Sequence, residues 1–233
     1  MKTKVIETPP WNALQHICGT HRSFADAQFC FSHLLSCATD WPTEHELNQV
    51  ARKISPDFRW QFIESPKVPR RAKAKGMTSL SGYIESICRQ NLIPIRKKNL
   101  HDFLNAASFL IFPKSKLALN ERHLMESPLG LQPGQNRTRT QDLLTMFDEG
   151  GVLRLTYRDD FRDLIFGHAV YEHIVLDKKL RAARLDIPVY DGFLSKSSEN
   201  LAAHADQWFA DWLVNPGHCL KSDEFSNVWI PEN

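Results

Sequence analysis

Asn99–His123 reads NLHDFLNAASFLIFPKSKLALNERH. At about 100° per residue, His101, Asp102, Asn105 and Ser108 fall within one arc of a helix. Leu104, Ala107, Leu110 and Ile111 cover much of the remaining surface. Pro113 then ends this helix or opens the next, where proline is tolerated in the first turn. In the second helix Lys116, Asn120 and His123 again share an arc, with Leu117 and Leu124 beside it. Two helices with facing polar arcs, joined at a proline, imply a helical core that carries either a buried polar network or a site.

Working outward, "DWPTEHELNQVARKI" starts a helix, with Thr43 as N-cap and Glu46 three residues on in a capping-box pattern. Residues 11–18, 24–38 and 79–91 also read as helices. "FRWQFIE" at 58–64 alternates as a short strand, and "LIPIRKK" follows the 79–91 helix as an extended connector. "TRTQDLLTMFDEGG" forms a third amphipathic helix. Thr138, Asp142, Thr145 and Glu149 lie on one side, Leu143, Leu144 and Phe147 on the other, and the glycines at 150–151 are a natural stop. "VLRLTY" at 152–157 and "ARLDIPVY" at 183–190 read as strands, with a helix from about Gly167 between them. "SENLAAHADQWFADWLVN" is helical, with Trp208 and Trp212 on one face. These elements predict one α+β domain over 1–233, predominantly helical, with a small sheet from 58–64, 152–157 and 183–190.

The chain has 233 residues, 42% hydrophobic and 24% charged, which suits a globular domain. A net charge of +2 is too small to argue for nucleic acid by itself. The five cysteines (18, 30, 37, 88 and 219) are irregularly spaced with no CxxC, which favours free thiols over a disulfide framework or cysteine zinc site. MKTKVIETPPW lacks the apolar core of a signal peptide, and no run reaches the roughly 20 apolar residues of a membrane span. A cytoplasmic protein with no membrane partner is the expectation. The segment 65–77, SPKVPRRAKAKGM, is a composition break and reads as a basic, flexible loop.

Three constellations carry candidate chemistry. The first is His101, Asp102, Asn105, Asn120 and His123, read either as hydrogen-bonded scaffolding or as a catalytic set. In the catalytic reading His101 is the general base and Asp102 or Asn105 orients it. The second is an anion clamp. Arg96, Lys116, Arg137 and Arg139 are its cations, with Asp142 and Asp148 nearby, and Arg137 and Arg139 precede a helix N-terminus. Salt bridges to Asp142, Asp148 or Glu149 are the plainer alternative for these arginines. The third is a divalent metal held by His168 and Glu172, one turn apart, and completed by His101, His123 or Asp148. No P-loop, GxGxxG, GxSxG or HExxH is present. No cysteine has an evident histidine partner, so cysteine catalysis is disfavoured.

The motifs HD-x-x-NA at 101–106, FP-x-x-K-x-x-LN-x-x-H at 112–123, R-x-x-DxLTxFDE-x-G at 139–151 and FGHA-x-x-E at 166–172 resemble those of the domain of unknown function 3025 family, a group of uncharacterised bacterial proteins. The resemblance runs over residues 83–172. It departs at Ile95, where the family usually has threonine, and at Gly150, where it has asparagine. It implies no reaction, substrate or cofactor. The residues favour a pocket between the 101–149 helices for a small anionic ligand, a reading that extends to a hydrolase. The alternatives are a nucleic-acid or protein-binding module using 66–75 and 96–98, and a scaffold without catalytic activity. Oligomeric state is not encoded in any of these patterns.

Overall fold

The aromatic side chains set the layout. Phe112, Phe147, Phe166 and Phe209 come from four separate parts of the chain and pack in tilted or edge-on pairs with ring centroids 4.9–5.6 Å apart. All four are buried, and such pairs add to the large apolar area they remove from water. Around them the computed structural model describes residues 8–65, 79–126, 137–178, 182–218 and 220. The basic segment 66–77 and most of the 127–137 loop lie outside the described residues.

The N-terminal elements are α1 (Trp11–Thr20), a 3₁₀ turn (Arg22–Ala27), α2 (Gln28–Ser36) and α3 (Glu44–Ile54). The continuous helix expected over 24–38 is therefore split into a 3₁₀ turn and α2. The capping box at Thr43 and Glu46 is present in full. Strand β1 (Gln61–Glu64) follows, then α4 (Ser79–Glu85), which runs into a π-helical turn (Ser86–Gln90). Strand β2 (Leu92–Ile95) pairs with β1 in parallel, Gln61 opposite Leu92. The segment read as an extended connector is thus a paired strand.

The central layer is α5 (Leu100–Ile111), α6 (Pro113–Glu126) and α7 (Arg139–Gly150). Pro113 opens α6 directly after α5. The N-terminus of α6 is capped from another element: the Asp206 carboxylate accepts from the backbone N–H of Ser115 at 2.7 Å and of Lys114 at 3.1 Å. Helix α7 carries its own capping box, Thr138 with Gln141.

A second sheet has the order β4-β3-β5. Strand β3 (Gly151–Tyr157) and β4 (Asp160–Ile165) form a hairpin, and β5 (Ala183–Pro188) returns parallel to β3 after α8 (His168–Val175). The expectation of a single sheet is corrected. β1 belongs to a separate two-stranded sheet, because its partner comes from the segment just before α5. Strand β4 had no clear alternation: DFRDLI is exposed or half-buried except at Leu164. It is held instead by its register with β3, where Arg154 and Asp163 pair across the strands through two 2.6 Å hydrogen bonds.

Helix α9 (Ser198–Val214) completes the fold against α6. Trp208 and Trp212 are half-buried and pack on the core edge. The architecture is α+β and mainly helical. No helix among the described residues is long and apolar enough to cross a membrane.

Candidate functional site

The junction between β4 and α8 brings the distant motifs together. Ser108 of α5 donates to the carbonyl of Phe166 at 2.8 Å. That bond fixes α5 against the start of α8, and it sets the first turn of α5 beside His168 and Glu172. From the other side, the backbone N–H groups of Phe166 and Gly167 both donate to the carbonyl of Gly151, at 3.0 and 2.9 Å. The end of α7 is therefore pinned to the same junction. Gly167 is required by space: a Cβ there would lie 2.4 Å from the Glu149 carbonyl oxygen.

Between these helices lies a cavity of about 440 Å³. Its walls include Arg96, His101, Asp102, Asn105, Asn120, His123, Arg137, Asp148, Glu149 and His168. Most of the polar positions singled out in the sequence thus converge on one space. Exceptions are Lys116, fully buried behind the wall, Glu172, which stands behind His101, and Arg139 and Asp142, which are exposed in the first turn of α7.

Several of these residues are tied into the wall by hydrogen bonds. The Asp102 carboxylate accepts from the Arg96 backbone N–H at 2.7 Å and from its guanidinium at 2.7 and 2.8 Å, clamping the turn from β2 into α5. Asn105 donates to the Tyr83 hydroxyl at 2.7 Å and accepts from Lys116 Nζ at 2.9 Å. Lys116 also donates to Asp148 at 2.6 Å and sits 4.7 Å from the Phe109 ring centre. Burial would raise the Asp148 carboxyl, but the ammonium of Lys116 holds it below its ordinary value. Asn120 donates to the Lys116 carbonyl within α6. These contacts satisfy buried polar groups in the way a scaffold requires.

The two central histidines are arranged differently. His101 Nδ1 lies 2.9 Å from Glu172 Oε2. The hydrogen bond from His101 holds the Glu172 carboxyl low, so Glu172 accepts and Nδ1–H donates. The same bond raises the His101 pKa against the opposing effect of burial. His101 Nε2 then faces His168 Nε2 at 3.1 Å, with the rings nearly perpendicular. His168 is 2% exposed, and burial pushes its pKa down to about 3. Its Nδ1 is buried with no hydrogen-bond partner among the described residues. A carboxylate oxygen of Glu149 completes the group: one atom from each of His101, Glu149 and His168 lies within 4.8 Å of the others. Burial raises the Glu149 carboxyl.

Glu149 and Tyr83 had not been singled out as site residues. The arc it shares with Thr138, Asp142 and Thr145 was the available signal for Glu149, and only tertiary packing turns that arc toward His101. Glu172, paired in sequence with His168 as a ligand, is the partner of His101.

At the other end of the cavity, His123 is 3% exposed and its Nδ1 has no hydrogen-bond partner. Burial pushes its pKa down to about 4. Its carbonyl accepts from Gln141 Nε2 at 3.0 Å. Gln141 also belongs to the capping box of α7, so one side chain ties the last turns of α6 to the start of α7. This tie sets Arg137 at the rim near His123. Arg137 has no carboxylate partner among the described residues. The Ile95 departure falls on the core side of β2, where it is 7% exposed, while Pro94 and Arg96 on either side line the cavity.

Residues 70–161 match the model of a family described as a protein of unknown function, DUF3025. That match is to the same family that the motifs resemble, over less than half of the chain. It covers α5, α6 and α7, whereas His168 and Glu172 lie beyond its end. No curated protein and no solved structure matches the chain.

Proposed function

We propose that this protein binds a small anionic molecule in the cavity between α5, α6 and α7. The observation that carries the reading is the charge state of the wall. Arg96 is neutralised by Asp102 and Lys116 by Asp148. Arg137 stands at the rim with no such partner among the described residues, beside the N-terminus of α7, where backbone N–H groups already favour an anion. A guanidinium there suits a phosphate or carboxylate. The cavity size suits a small metabolite rather than a polymer.

The binding-module alternative has less support. Lys97 pairs with Glu64 at 3.1 Å and Lys98 with Asp40 at 2.7 Å, so the 96–98 strip is balanced by carboxylates. Residues 66–75 lie outside the described structure. A cytoplasmic setting goes with the reading, supported by Cys18, Cys30, Cys37 and Cys88, which stand as free thiols.

The test is thermal stabilisation of the full chain by inorganic phosphate, sulfate and small dicarboxylates. At least one anion is expected to raise the melting temperature of wild type and to lose that effect in Arg137→Ala. No stabilisation by any anion, or equal stabilisation of the variant, overturns the reading.

A further inference from the structure

We infer that His101, His168 and Glu149 form a binding site for one divalent transition-metal ion at the inner end of the cavity. The inference deepens the anion-pocket reading and rests on it only for what the ion would face. It stands on four observations.

First, the donor set is chemically coherent. Two neutral imidazoles and one carboxylate suit zinc, iron(II) or manganese(II) better than calcium or magnesium, which prefer all-oxygen sites. Second, the spacing fits. Two nitrogens each about 2.0–2.1 Å from one ion lie about 2.8–3.4 Å apart at octahedral or tetrahedral angles. The His101 and His168 Nε2 atoms are 3.1 Å apart, and a Glu149 carboxylate oxygen lies within 4.8 Å of one ring nitrogen of each histidine.

Third, His101 is oriented from behind. Its Nδ1 is committed to Glu172, which leaves Nε2 as the coordinating atom. Carboxylates hold metal-binding histidines in this way and increase their basicity. Fourth, the three residues line the cavity that also holds Arg137 at its rim. Three protein ligands leave at least one position of the ion open toward that cavity. An open position facing a cavity that also holds an anion-binding arginine is an arrangement that metal-assisted hydrolysis can use.

Each ligand sits on a different helix: α5, α7 and α8. Their positions are fixed by the contacts already described, Ser108 to Phe166 and Gly167 against Glu149. Glu172 is a positioning residue, since it acts on the ion only through His101.

The experiment is calorimetric titration of the full chain with zinc and manganese chlorides, each without added anion. One equivalent is expected to bind. Glu149→Gln and His168→Ala should each weaken binding at least tenfold, and Glu172→Gln by about 10–100-fold. Arg137→Ala should leave metal binding unchanged while abolishing stabilisation by phosphate. Should the ligand variants fail to fold, cobalt(II) added to wild type decides the matter. Visible absorption bands of a histidine-ligated ion are expected, and their absence overturns the site. Wild-type-like affinity in both ligand variants also overturns it. If phosphate still stabilises through Arg137 when no metal binds, the metal site alone is rejected. If metal binds and no anion does, the anion reading alone is rejected.

Discussion

The carbonyl of Glu149 fills the space where Gly167 would carry a side chain, with only 2.4 Å between that oxygen and the position of a Cβ. The contact joins the end of α7 to the residue before His168. It therefore sets the distance between two of the three proposed ligands. Gly167→Ala should push the helices apart, costing about 1–3 kcal/mol as an overpacked core does. It should also weaken zinc binding at least tenfold. Chemical denaturation and calorimetry on the same sample would check both effects. Unchanged metal affinity would show that the contact does not set the ligand spacing.

Lys116 is fully buried and its main partner is Asp148. Lys116→Met should cost about 3–5 kcal/mol, because it leaves a carboxylate buried without its countercharge. The double variant Lys116→Met with Asp148→Leu should recover most of the loss, since two apolar side chains of similar volume can replace a buried pair. Urea denaturation midpoints measure both. A loss in the single variant well under 1 kcal/mol would mean that the pair contributes little.

Asp102 clamps the Arg96 turn and does not touch His101 in any hydrogen bond. Asp102→Ala should cost roughly 1.5–3 kcal/mol, the scale of hydrogen bonds to a charged group. Metal affinity should remain within about threefold of wild type. A thermal melt and a zinc titration distinguish this turn role from the orienting role that its position next to His101 suggests.

His123 gives a pH signature. Its folded pKa of about 4 lies below the ordinary histidine value of 6.5. Above pH 6.5 both folded and unfolded chains hold it neutral, so it imposes no cost. As pH falls from 6.5 toward 4, the unfolded chain takes up a proton that the folded chain refuses. Folding stability therefore falls by up to about 1.4 kcal/mol per pH unit from this group, and the loss levels off below about pH 4. His168 has the same sign, over a window reaching down to about 3. In His123→Asn the decline between pH 6.5 and 4 should be visibly shallower. Denaturation midpoints across that range provide the check, and identical slopes would contradict the buried, neutral state of His123.

Much of this layout is legible in the sequence because it is local. The arcs of α5 and α6, the stop at Gly150 and Gly151, the capping box at Thr43 and the one-turn spacing of His168 and Glu172 follow from helical periodicity and cap chemistry. What is not legible is which helix faces which. Asp102 is next to His101 in the chain, yet the partner of His101 is Glu172, 71 residues away. Glu149 stands on the polar side of α7 in the sequence, but nothing local reports that α8 packs on the end of that helix. Strand β4 escaped for a related reason. Its side chains are mostly solvated, so it lacks the alternation that burial of one face produces, and its pairing comes from the hairpin with β3. The parallel pairing of β1 with β2 likewise depends on a long-range contact that periodicity does not encode.

The most direct measurement is an anomalous-scattering map from crystals of the full chain grown with zinc, collected on both sides of the zinc absorption edge. The account predicts one strong peak between His101 Nε2, His168 Nε2 and the Glu149 carboxylate, about 2.0–2.2 Å from each. It also predicts Glu172 still hydrogen-bonded to His101 Nδ1. A map with no peak at that position, or with zinc only at surface histidines such as His45, would contradict it.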